Sequence, residues 1–167
     1  LFIGWREMND IGGETDLRIM SAYSHDQGSI WYDPVQVDNN LEFMPGLKVD
    51  FGSGNDENTI CAVFTIHESQ NIWASVSYDF GQTWPVQNVQ VDDGAPYAKD
   101  AISIAGDSEC MIAVWKDGRD VREAAIYSSH STDGGLTWSS PDTRVDDDLT
   151  SSWRYYTQVY KCIDGSF

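Results

Sequence analysis

Positive charge is scarce in this chain: 10 Lys and Arg stand against 27 Asp and Glu, a formal net charge of −17 over 167 residues. Nucleic acid and anionic membrane surfaces both call for a basic face, so neither is an expected partner. Long apolar runs are missing too. None approaches the ~20 residues that span a bilayer as a helix, and membrane insertion is therefore not expected. Cysteine is limited to Cys61, Cys110 and Cys162. There is no Cys-x-x-Cys pair and no Cys/His cluster, so no metal site is assigned and no cofactor is called for. An odd number of thiols, at similar places in successive repeats on neighbouring inner strands, reads as buried and free. No helical period of convincing length occurs anywhere. An initiator Met and a signal peptide are also absent, and the expectation is a processed product or a piece of a longer protein.

Aromatic residues, by contrast, are plentiful at 13%, with seven Trp and eight Tyr, which suits sheets stacked face to face. Of the 27 acidic residues 20 are Asp, a residue that favours turns over helices. The charge is thus largely borne by solvated loops, and an extracellular setting would suit it.

One eight-residue motif occurs three times: Ser24-His25-Asp26-Gln27-Gly28-Ser29-Ile30-Trp31, Ser77-Tyr78-Asp79-Phe80-Gly81-Gln82-Thr83-Trp84 and Ser131-Thr132-Asp133-Gly134-Gly135-Leu136-Thr137-Trp138. The aspartates lie 53 and 54 residues apart, so the chain is a repeat array. The motif describes a tight hairpin. Its Asp accepts backbone N–H groups of the turn, its Gly supplies positive φ, and its Trp is expected to cover the base of the hairpin. Asp26, Gly28, Trp31, Asp79, Gly81, Trp84, Asp133, Gly135 and Trp138 are accordingly assigned to the framework.

This pattern resembles the Asp-box, or BNR repeat, of sialidase-like β-propellers. The second and third copies match throughout, whereas the first has Ser29-Ile30 where the family has x-Thr. The rest of the repeat agrees with a blade of four antiparallel strands. A strand ending in Val-Asp follows each Trp (Val35 to Asp38, Val89 to Asp92, Thr143 to Asp146). Upstream are apolar strands closing on an aromatic residue, Cys61 to Phe64 and Met111 to Trp115. Leu47 to Phe51, Ala101 to Ala105 and Gln158 to Ile163 supply inner strands. The expectation is an all-β chain forming a single propeller segment, with blades at about 158–167 plus 1–38, 47–92 and 101–146.

Asp56 to Phe64 aligns without gaps to Asp107 to Trp115. The third copy begins at Asp164-Gly165-Ser166-Phe167 and continues, in the same register, at Leu1-Phe2-Ile3-Gly4-Trp5. One of the three blades is therefore split between the termini. Three blades are expected to complete a six-bladed ring, either with a second copy as a homodimer or with the remainder of a longer propeller. A half-strand exposing Phe167 and Leu1 to Ile3 would otherwise be an aggregation-prone edge.

The resemblance places function on the face where loops between second and third strands (about 6–16, 65–70 and 116–123) and between blades (about 39–46, 93–100 and 147–156) open. Trp115-Lys116-Asp117-Gly118-Arg119-Asp120, with a weak match at Trp5-Arg6-Glu7, pairs a carboxylate with a guanidinium beside an aromatic ring. That set suits a sugar held by stacking and bidentate hydrogen bonds; it equally suits an Asp117–Arg119 pair that fixes its own loop. Trp153-Arg154-Tyr155-Tyr156 is a second ligand-binding candidate, or else aromatic packing under a loop. His67-Glu68 would be an acid/base element or plain loop surface.

A sialidase of the resembling kind holds the substrate carboxylate with three arginines and uses a Tyr nucleophile assisted by Glu, with an Asp as acid/base. Its early Arg-Ile-Pro segment is absent, Arg18-Ile19-Met20 being only an echo. Arg6, Arg119 and Arg154 are the arginines on functional-face loops of separate blades, and no Tyr/Glu pair is identifiable, so no catalytic residue is assigned. Calcium at Asp92-Asp93 or Asp146-Asp147-Asp148 is the alternative to solvated turns. The leading expectation is a secreted recognition or assembly module for glycan or protein ligands; the runner-up is a retaining, exo-acting sialidase-like glycoside hydrolase.

Overall fold

Alternating apolar and polar residues between Asp-rich turns build antiparallel strands, and the computed structural model contains strands and no helix among its described residues, 1–11, 14–39, 45–53, 58–66, 70–106, 109–119, 124–146 and 157–160. The elements are β1 (Phe2–Ile11), β2 (Glu14–Tyr23), β3 (Val35–Gln36), β4 (Pro45–Ser53), β5 (Ile60–Ile66), β6 (Ile72–Ser77), β7 (Val86–Gln90), β8 (Lys99–Gly106), β9 (Met111–Asp117), β10 (Ala125–Ser131) and β11 (Thr143–Arg144). They form three antiparallel sheets: β1-β2-β3, β4-β5-β6-β7 and β8-β9-β10-β11. Each sheet is a meander of consecutive strands, and each Asp-box joins the last two.

The core lies between the sheets. β5 is buried on both faces, which explains its continuous apolar run. Ile60, Ala62 and Phe64 pack with Ile19 and Val37 of the first sheet. Cys61 and Val63 turn the other way, toward Ile104, Met111, Ala113 and Trp115 of the third. Phe2, Phe51 and Trp84 form an aromatic knot between the first two sheets, with centroids 5.4 to 6.5 Å apart in tilted and edge-on arrangements. Polar links cross as well. Asp50 Oδ2 accepts the Ile104 N–H at 2.9 Å, and Gln87 Nε2 donates to the Val37 carbonyl at 3.2 Å.

Several expectations need correcting. Among the described residues the first sheet contains three strands, and most of the expected fourth, at 158–167, lies outside them. Residues 157–160 lie against β8, the Val159 N–H donating to Ser103 Oγ at 3.3 Å and Thr157 Oγ1 to the Ala101 carbonyl. They are not in strand conformation there, and the junction of residues 161–167 with Leu1 lies outside the described residues. The loop read at 6–16 is instead a long hairpin, since β1 and β2 pair from Phe2↔Tyr23 to Ile11↔Glu14. Arg6 consequently sits within β1, exposed to solvent. Likewise Lys116 and Asp117 finish β9 rather than opening a loop. Cys61 is buried, but Cys110 precedes β9 in a turn and is exposed; a turn position has no second sheet to close over it. Cys162 lies outside the described residues.

Candidate functional site

The three Asp-boxes share one geometry. In the third, Ser131 Oγ donates to Asp133 Oδ1 at 2.8 Å and accepts the Gly135 N–H at 2.9 Å. Asp133 also accepts the Thr137 N–H at 2.9 Å and Thr137 Oγ1 at 2.6 Å. The second box repeats these bonds through Ser77, Asp79, Gly81 and Thr83. In the first, Ile30 has no hydroxyl, so Asp26 keeps the backbone bond to Ile30 at 2.8 Å without the side-chain partner. Hydrogen bonds from the Thr137 hydroxyl and N–H hold the Asp133 carboxyl down at about 2. Asp26 is lowered chiefly by the Ile30 N–H. Each of these carboxylates holds the turn of its own hairpin.

The residue before each box glycine has positive φ: 61° at Gln27, 62° at Phe80 and 73° at Gly134. That conformation favours Gly, and two copies adopt it with a side chain. Phe80 uses its side chain to stack on His25 of the neighbouring box, centroids 6.2 Å apart. The next boxes are joined differently, by Tyr78 Oη donating to the Gly134 carbonyl at 2.8 Å.

Two of the box tryptophans reach beyond their own hairpins. Trp84 covers the neighbouring sheet, its Nε1 donating to Ser21 Oγ at 3.0 Å in β2, and Trp138 packs on the cluster between the second and third sheets. Trp31 stays beside its own box, its ring 3.7 Å from where a Cβ on Gly28 would stand, and is 38% exposed.

Arg119 is the centre of the best-formed polar constellation. Nη1 donates to Asp93 Oδ2 at 2.8 Å, and Nη2 lies 2.8 Å from Asp117 Oδ2, 2.6 Å from Asp142 Oδ2 and 3.2 Å from Asp93 Oδ1. Its guanidinium carbon stands 4.2 Å from the Tyr127 ring centroid, a cation–π contact. Asp117 is fully buried and also accepts the Arg119 N–H at 2.8 Å and Trp115 Nε1 at 3.1 Å. Asp93 and Asp142 are joined directly, the Asp93 N–H donating to Asp142 Oδ1 at 3.0 Å.

Three carboxylates thus surround one cation, and their fates differ. Burial pushes the Asp142 carboxyl up to about 6, with the Asp93 charge adding to the rise against the Arg119 hydrogen bond. Burial also acts upward on Asp93, but hydrogen bonds from Arg119 and the Ala95 N–H outweigh it and leave that carboxyl below its ordinary value. Beside this knot Lys99 and Asp92 form a fully buried pair at 2.8 Å. Asp92 Oδ1 accepts the Ile72 N–H at 3.2 Å.

Of the residues singled out in the sequence, Asp117 and Arg119 are brought together, and Arg6 stands apart on β1. His67, Trp153, Arg154 and Tyr155 lie outside the described residues, as do Asp147 and Asp148. Asp93, Asp142, Lys99 and Tyr127 were not recognised as partners of this cluster. The available signal was the acidic residue beside the second Val-Asp and the Asp two residues before Arg144. Asp92 and Asp93, one of the two runs considered for calcium, face Lys99 and Arg119. Among the described residues no group of three or more His, Cys, Asp or Glu is arranged to hold a metal ion.

No family model matches the chain, and no curated protein matches it. Among solved structures it is similar to the NanB sialidase of Streptococcus pneumoniae in complex with 2-[(3-chlorobenzyl)ammonio]ethanesulfonate. There the identity is 18%, over 99% of this chain and 29% of that one, with a TM-score of 0.49. A structure of NanB with Optactamide is similar at 16% identity, over 87% of this chain and 25% of that one, with a TM-score of 0.47. The chain spans less than a third of the length of either.

Proposed function

We propose that the chain is a segment of an Asp-box β-propeller that works outside the cell as a rigid recognition or assembly module, with glycans or proteins as its ligands. The observation that carries this reading is the commitment of Arg119. A guanidinium that recruits a substrate carboxylate must keep its fork free, and this one is divided among Asp93, Asp117 and Asp142 with a ring on its face. Its polar surroundings brace the second sheet against the third. The three stacked meanders and their boxes make a stiff support, with longer connections left to vary around it.

The competing reading, a retaining sialidase-like hydrolase, draws on exposed Arg6 together with Arg154. It requires a third free arginine and a nucleophile that the described residues do not supply. Glycan-array binding and hydrolysis of a fluorogenic sialoside, measured on the same preparation, separate the two. Binding without turnover supports the recognition module. Turnover above the rate of a heat-denatured control overturns it.

A further inference from the structure

Three carboxylates and one guanidinium meet where the connection from the second sheet to the third, residues 91–98, passes the ends of the third sheet's strands. Asp93 belongs to that connection, Asp117 and Arg119 to the end of β9, and Asp142 to the approach to β11. The Asp93 N–H donates to Asp142 Oδ1, and both carboxyls reach Arg119. The connection is therefore fastened to the sheet through this pair of acids. Of the neighbouring cations, Lys99 is closed on Asp92 at 2.8 Å and Arg144 turns to Asp146 at 2.9 Å. Tyr127, from β10, contributes its ring to the Arg119 face.

With all three acids ionised, one positive charge would face three negative ones, and the Asp117 and Asp142 side chains are wholly shut off from solvent. Repulsion between carboxylates is strong in such a poorly polarisable setting, and a single proton relieves it. Geometry selects where that proton sits. Asp117 accepts the Arg119 N–H, Arg119 Nη2 and Trp115 Nε1. Asp93 accepts both guanidinium nitrogens and the Ala95 N–H at 3.1 Å. Asp142 has two donors, the fewest of the three, and stands against Asp93. Burial, with the Asp93 charge beside it, holds the Asp142 carboxyl up at about 6.

We propose that this cluster is a proton-operated clasp: a proton on Asp142 keeps Asp93 and its connection fastened to the third sheet, and loss of that proton releases them. Once Asp142 is ionised the two carboxylates repel, and Asp93 is the one free to move, because it lies on a connection and not in a strand. The chain yields at Gly94, whose φ is 77°. The remainder of the connection keeps its other fastenings, Lys99 Nζ to the Ala95 carbonyl at 2.6 Å and the Gly118 N–H to the Ala98 carbonyl at 2.9 Å. Opening is thus local. Tyr97, 44% exposed, lies in the same connection, so the clasp sets how firmly that surface is presented, and it holds tighter in mild acid.

Backbone hydrogen exchange followed by NMR, from pH 5 to 7.5 and corrected for the intrinsic rate at each pH, tests this directly. The Asp93 and Ala95 amides report the clasp, because they donate to Asp142 and Asp93. The closed form holds a proton that the open form, with an ordinary Asp142 value of 3.8, has lost. Protection at both amides should therefore fall as pH rises, by about tenfold across this range. The amide of Ala113, in the core, should stay far more protected at every pH. In Asp142→Asn the Ala95 amide should keep one level of protection throughout, the side-chain amide standing in for the protonated acid. Flat protection at Asp93 and Ala95 in the wild type overturns the proposal, and so does a pH dependence at Ala95 that survives Asp142→Asn. Exchange there as slow as at Ala113 overturns it as well, since the stretch would then open only when the whole chain unfolds. The wild-type profile decides the matter even where the variant does not fold.

Discussion

Replacing Asp142 by Asn removes the carboxyl that the Arg119 cluster holds most reluctantly. In the native chain its side chain is shut off from solvent, close to both Asp93 and Arg119, and it titrates near 6 instead of 3.8. A rise of roughly two units corresponds to about 3 kcal/mol between the protonated and ionised forms. The sign follows from proton counting. Between pH 4 and 6 the folded chain holds a proton on Asp142 that the unfolded chain has lost, so this group's contribution is fully present below 4 and disappears as pH rises through 6. Asn imitates the protonated form at every pH, though it must surrender one of the two acceptor bonds, a constant penalty of about 1 kcal/mol. The assay is urea unfolding of both proteins, followed by tryptophan fluorescence, from pH 4 to 7.5. Their difference removes the influence of the other carboxylates. Relative to Asp142→Asn, the wild type should lose on the order of 2–3 kcal/mol across this range. A difference that stays flat, or that grows in favour of the wild type, would refute the account and make Asp142 an ordinary ionised partner of Arg119.

Two further outcomes follow from the packing. Trp138 Nε1 is buried without a hydrogen-bond partner, because the second sheet has Ala74 where the first has Ser21; Ala74→Ser should therefore stabilise the chain by about 0.5–1.5 kcal/mol. A clear drop in the urea midpoint would mean that the added hydroxyl does not reach the indole. In native protein, Cys110 should react quickly with a thiol reagent and Cys61 only after unfolding, since burial shuts in Cys61 and pushes its thiol pKa up. Peptide mapping of the labelled chain reads the two sites separately, and rapid native labelling of Cys61 would contradict the stacked-sheet core.

The three hairpins were legible because everything they need is local. Ser, Asp, Gly and Thr lie within seven residues, and their hydrogen bonds follow from turn chemistry. The apolar run of β5 likewise announced a strand, and the sheets on either side account for its having no polar face. Contacts between sheets were hidden. Trp84 and Ser21 are 63 residues apart, and nothing local says that an indole in one hairpin ends on the strand of another. Asp117 and Arg119 could be paired from the sequence, but Asp93 and Asp142 come from 26 and 23 residues away. Without them Arg119 looked available to a ligand. The long β1–β2 hairpin was missed for another reason: its polar outer half, Arg6 to Asp16, carries the composition of a loop.

The Val-Asp steps that follow the boxes have a bearing on solubility. Val37 and Val91 donate to the Ile19 and Ile72 carbonyls as a continuing strand would. The next residues, Asp38 and Asp92, then accept the Ile19 and Ile72 N–H groups through their side chains. The backbone thus leaves the ladder while a carboxylate takes the final bond, and the outermost strand of the first sheet stays only two residues long. Such a margin gives a stray polypeptide little to zip onto, and the aspartates concentrated there repel a like-charged neighbour. The outer margin of the first sheet is thus guarded by backbone geometry and charge together, while its long strands β1 and β2 lie on the inner side.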